Sequence, residues 1–206
     1  TISYESFDYS YQRNLDDVLI DVFNQNTYSY TDLPNDKLIK TLTYYKKLVE
    51  VSNNNQNIFS SYLYALSNNV EKLNNKTELY GFYEIYYDSI LDETKNVFEA
   101  LDEVFTKNNY STDGYSNSDW NVFKSSFSSL ANTVAWSVVE NEKDSELIKK
   151  AIKWSETSLK LEKNNAYYLD TLAQLYYKNG QKEMAISTQK KAVEAMKNNG
   201  EEESET

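Results

Sequence analysis

The chain has no cysteine and no histidine among its 206 residues, only one proline and four glycines, and no run of eighteen apolar side chains. Without thiolate or imidazole it cannot build a Cys/His zinc site, a Ser/His or Cys/His nucleophilic pair, a CxxC redox centre or an imidazole pH switch. Most familiar enzyme chemistries leave with those residues, so the expectation is a non-enzyme with no metal and no cofactor. The missing apolar run excludes a transmembrane helix. Glycine and proline average about 7% and 5% of ordinary chains and punctuate strands and hairpins, so their scarcity predicts an all-α fold. A chain of this length can bury about 70% of its unfolded surface, enough for a core without cross-links. The lack of cysteine does not fix a compartment. The first residue is Thr1 and not methionine, which predicts a processed or trimmed upstream segment.

Positive charge is also short, and unevenly so. Residues 1–141 carry 20 acidic and 10 basic side chains, residues 142–200 carry 8 and 11, and residues 201–206 add 4 acids, giving the net −11. An acidic body repels phosphate backbones, whereas nucleic-acid binding needs a basic face to release counterions. No nucleic-acid partner is expected. The acidity serves solubility, or less simply an acidic docking patch.

Three regions follow: an acidic, tyrosine-rich helical region over 1–120, helical repeats over 121–200, and an acidic tail over 201–206. Ile2 and Tyr4, then Phe7, Tyr9 and Tyr11, alternate with period two, as do Tyr28 and Tyr30; this reads as a short extended arm or an irregular segment whose tyrosines cover a helix. Leu15, Val18, Leu19, Val22 and Phe23 form a helical stripe through about residue 24. After Pro34, Leu38, Leu42, Tyr45, Leu48 and Val49 predict a second helix. Ile58, Tyr62, Leu66, Val70 and Leu73 predict a third, stopped by Asn74 and Asn75. Residues from Leu79 to Phe105 read as one long, bent helix in preference to two broken near 92–95. Fifteen of nineteen tyrosines precede residue 120; they suit boundary core, with rings packed and hydroxyls at the surface, or a recognition surface. In the loop 108–121, Asn109, Ser111, Asp113, Gly114 and Asn117 match five calcium-loop positions, but Trp120 replaces the bidentate glutamate, which favours a solvated connection with Ser118 or Asp119 capping the next helix.

The C-terminal third holds the strongest pattern. Leu169, Leu172, Ala173, Tyr176, Gly180, Ala185 and Ala192 stand at the spacing of the tetratricopeptide repeat (TPR), and the region resembles that family. Small residues let two antiparallel helices approach, Leu172 and Tyr176 fill the gap, and Gly180 makes the turn. One period of 34 residues earlier stand Ala151 and Ser158, with Val134, Ala135 and Val138 at first-helix positions. About four extra residues enter the intervening loop, where Asp144 or Ser145 caps the next helix. The form of residues 135–180 is also similar to the TPR-like tail of some thioredoxin-fold proteins of the bacterial cell envelope, without their thioredoxin domain. That similarity implies a periplasmic or outer-membrane-associated setting, with a cytoplasmic one left open.

The resemblance implies an α-solenoid of antiparallel helix pairs whose concave face binds protein through Tyr167, Asp170, Gln174, Tyr177 and Lys178 of one repeat and Asn132, Trp136, Val139 and Glu140 of the other. Trp136 and Tyr177 would be apolar anchors and Lys178 a charge. The expected function is a scaffold for another protein or peptide, as a subunit or accessory of a larger, envelope-associated assembly, with the partner also touching the N-terminal helices. The alternatives are a glycan-binding or carbohydrate-active protein using paired carboxylates, or a regulatory tail of a larger enzyme. The acidic 201–206 segment is expected to be a mobile tail.

Overall fold

The structure, a computed structural model, describes residues 34–51, 56–91, 95–108 and 117–198. The arm over 1–11, the stripe over 15–23, the tyrosines at 28 and 30, the calcium-like loop and the acidic tail lie outside the described residues. Among the described residues the protein is all-helical, as its glycine and proline content predicts, with nine helices. They are α1 (Asn35–Val51), α2 (Gln56–Ser67), α3 (Val70–Leu73), α4 (Lys76–Ile90), α5 (Val97–Asn108), α6 (Asn117–Asn141), α7 (Ser145–Leu161), α8 (Ala166–Lys178) and α9 (Lys182–Asn198). None is long and apolar enough to cross a membrane. The chain divides into two compact units between Phe82 and Tyr83, within α4. Residue 120, the boundary read from the sequence, lies inside α6 of the second unit.

In the first unit, the stripe of α1 turns inward as its spacing requires: Leu38, Leu42, Tyr45 and Val49 are buried. They face a core of Ile58, Phe59, Tyr62, Leu63 and Leu66 from α2, and Leu79 from α4. The single helix expected over 58–73 is in fact two. Buried Asn69 donates its amide to the Ala65 carbonyl at 2.8 Å, an alternative to the helical ladder that breaks the run at residues 68–69. Asn74 does stop the second piece, in the left-handed conformation at φ 50°. Tyrosine is used more deeply than boundary packing implies. Tyr45 and Tyr62 are fully buried, with ring centroids 6.5 Å apart, and Tyr62 also meets Phe82 edge-on at 5.2 Å. The Tyr62 hydroxyl stays satisfied by donating to Glu78 Oε1 at 2.9 Å, where Lys46 also donates at 3.0 Å.

The long helix expected from Leu79 to Phe105 is also broken, into α4 and α5. Asn96 Oδ1 accepts from the backbone N–H groups of Phe98 and Glu99 at 3.0 and 3.1 Å, starting a new helix where the old ladder would have continued. In the second unit, Tyr83 and Tyr87 pack on the buried indole of Trp154 in α7, with centroids at 4.9 and 6.4 Å. Beside them Tyr87 Oη bonds Thr157 Oγ1 at 2.8 Å and Lys150 pairs with Glu84. Phe105 of α5 meets Trp120 and Phe123 of α6 at 5.4 and 5.3 Å. Helix α6 begins at Asn117, so Ser118 and Asp119 lie inside it and do not precede it as caps.

The small residues of the pattern, Ala135, Ala151, Ser158, Ala173, Ala185 and Ala192, are all buried, and so are Ala131 and Ser155 beside them. Helix α7 packs on α6 and α8, and α8 on α9. Asp144 caps α7 as expected, accepting from Glu146 and Leu147 N–H at 2.8 and 3.0 Å, and these bonds hold its carboxyl below the ordinary aspartate value. Asn165 Oδ1 does the same for α8. Gly180 turns the chain toward α9 at φ 78°, a conformation that disfavours any side chain.

Candidate protein-binding surface

Positions 167, 170, 174, 177 and 178 of α8 fall within a helical arc of roughly 100°, and so do 132, 136, 139 and 140 of α6. The opposite sides of both helices are buried: Leu172, Leu175 and Tyr176 on α8, Leu130, Val134 and Val138 on α6. The nine predicted contact residues therefore occupy the sides of their helices left outside the core. Among them are three large aromatic side chains in solvent: Trp136 at 37% exposure, Tyr167 at 60% and Tyr177 at 63%. Gln174 and Glu140 are exposed as well, and Val139 is half-buried.

Two members have work inside the fold. Lys178 donates from Nζ to the Glu142 carbonyl at 2.8 Å and to the Val138 carbonyl at 3.5 Å, so its charge rests at the C-terminal end of α6, where the helix dipole favours a cation. The Asp170 carboxylate accepts from Gln189 Nε2 of α9 at 2.8 Å. Both hold the helices that carry the aromatic side chains. Asn132 is different: its Oδ1 is buried and accepts no hydrogen bond from the described residues. A buried unpaired acceptor costs about 1–3 kcal/mol until a donor reaches it.

Behind the surface, Tyr176 donates to Glu156 Oε1 at 2.7 Å, tying α8 to α7, and burial together with that carboxylate raises the phenol's pKa above its ordinary value. Ser128 Oγ donates to the Ser158 carbonyl at 3.0 Å and joins α6 to α7. Sequence reasoning passed over Asn132 as an orphan acceptor and over the Tyr62–Glu78–Lys46 network, because each depends on residues brought together from different turns or helices. Among the described residues no three acidic side chains converge as a metal site would require. No protein-family model matches the chain, and a search of the curated proteins finds no match.

Proposed function

We propose that this chain is a non-enzymatic helical-repeat scaffold of the TPR kind, binding a segment of another protein through the outward faces of α6 and α8. One observation carries the reading. Trp136, Tyr167 and Tyr177 stand exposed at the positions where the resemblance puts ligand contacts, while the alanines of the same pattern are buried. Binding energy concentrates in such aromatic anchors. On this reading α6–α7 and α8–α9 are antiparallel pairs joined by the short turns 142–144 and 179–181, stacked as a two-repeat solenoid. The similarity to envelope-protein tails supports a periplasmic or outer-membrane-associated role as subunit or accessory of an assembly.

The test is affinity capture from the native source with wild type and with Trp136→Ala/Tyr177→Ala, both shown to melt alike, followed by titration of the purified partner. A protein that binds wild type and loses affinity for the variant supports the surface. Equal affinity for both would move the interface elsewhere.

A further inference from the structure

The two long helices α7 and α9 correspond at 34 residues, and their matching flanks have opposite fates. On α7 the flank is Ile148, Ile152, Glu156 and Leu159. Helix α8 packs on α7, where Glu156 accepts from the Tyr176 hydroxyl at 2.7 Å; Leu159 packs against the cluster of Ala166, Leu169, Ala192 and Ala195, and Ile148 and Ile152 are buried. Thirty-four residues on, the same flank of α9 is Lys182, Ile186, Lys190 and Val193, a line of basic and apolar side chains within roughly 80° of helix circumference. Ile186 is 59% exposed where its counterpart Ile152 is 8% exposed, and Lys182 and Lys190 are exposed as well. No described helix of the second unit lies beyond α9.

We infer that this flank of α9 receives a helix from a partner protein, one that carries an apolar stripe flanked by acidic side chains. The correspondence rests on the repeat reading, but the docking face is a different one from that of α6 and α8. The charge of the visitor follows from one substitution within the pattern. Where α7 offers the acceptor Glu156 to a donor on its neighbour, α9 offers the donor Lys190, so its neighbour must supply an acceptor. Lys182 in place of Ile148 asks the same at the other end of the line. The line itself carries two exposed lysines and no acidic side chain, so an acidic visitor meets opposite charge along it. A second copy docked flank to flank would set lysine against lysine. Ile186, 59% exposed beside the half-buried Val193, is the apolar part of the line.

The experiment pans a displayed library of helix-forming peptides, about five turns long, on the intact chain, and titrates the selected peptides against three proteins. These are wild type, Ile186→Glu/Lys190→Glu and Trp136→Ala/Tyr177→Ala. All four substituted side chains are solvent-exposed, and matched thermal melts verify the folds. The expected result is enrichment of peptides with apolar residues at helical spacing beside Asp and Glu, weakened at least about tenfold by the α9 variant, weakened by added salt, and unchanged by the α6/α8 variant. Selection of neutral or basic peptides, or affinity indifferent to the α9 variant, overturns the inference. Peptides lost only in the α6/α8 variant would overturn it while leaving the proposed function standing. Concentration-dependent dimerisation abolished by the α9 variant would assign the flank to a second copy and overturn it also.

Discussion

Replacing Trp154 by alanine should lower the stability of the second unit by about 3–5 kcal/mol. The indole is buried and meets Tyr83 edge-on at 4.9 Å, with Tyr87 next to Tyr83 at 6.4 Å. An aromatic side chain of this size hides on the order of 200 Å², which at about 25 cal/mol per Å² corresponds to roughly 5 kcal/mol as an upper value. The surrounding helices hold their places through Tyr87–Thr157 and Lys150–Glu84, so the site collapses poorly and the cavity term persists. For a chain of this size each kcal/mol moves the melting midpoint by about 2–4 °C, giving a fall of about 6–20 °C. Trp154→Phe keeps a ring against Tyr83 and should lose markedly less. Thermal unfolding followed by far-ultraviolet circular dichroism reads the effect, and Trp120 and Trp136 remain as fluorescence probes of the same transition. A midpoint for Trp154→Ala within about 2 °C of wild type would refute the packing described for α4 against α7.

Ala185→Leu should destabilise by about 1–3 kcal/mol through overpacking, and an unchanged melt would count against a close helix approach at that residue. The Glu78 carboxyl is pushed up by partial burial, but hydrogen bonds from Lys46, Tyr62 and Asn75 outweigh that and hold it below its ordinary 4.5. The folded unit then binds fewer protons than the unfolded chain. Its stabilising contribution is complete above about pH 4.5 and fades as pH falls through the folded value. Glu78→Gln should flatten the acid side of the first unit's urea-midpoint profile; an unaltered slope would place the effect elsewhere. Asn132→Ala removes a buried acceptor without a partner among the described residues, so it should leave the free protein as stable or more so by up to about 1 kcal/mol in a thermal melt. A clear loss of stability would show that the amide holds the fold.

How legible all this was depends on the range of the interactions involved. Period and small-residue spacing are local or echo at a fixed 34 residues, which is why the stripe of α1, the Asp144 cap, the Gly180 turn and the buried alanines could be read from the sequence. The two misread helices fail for a common reason. An asparagine side chain can stand in for the backbone ladder at one residue, at Asn69 and at Asn96, and hydrophobic period runs straight across such a break. Helical spacing puts Tyr62 on the right face but implies a surface hydroxyl, because its partner Glu78 sits 16 residues away on another helix. On the candidate surface, the aromatic positions were legible from the repeat register. That Lys178 caps α6 and that Asp170 holds Gln189 were not, since both bonds span helices whose packing the register alone does not supply.

The central claim is that Trp136 and Tyr177 are the anchors of a protein-binding face, and a calorimetric titration of the captured partner into wild type and into Trp136→Ala/Tyr177→Ala tests it most directly. Two exposed anchors, each at about 1–2 kcal/mol or more when truncated, predict an affinity loss of at least about thirtyfold with the thermal melt of the free protein unchanged. Equal dissociation constants for the two proteins, at equal stability, would contradict the account.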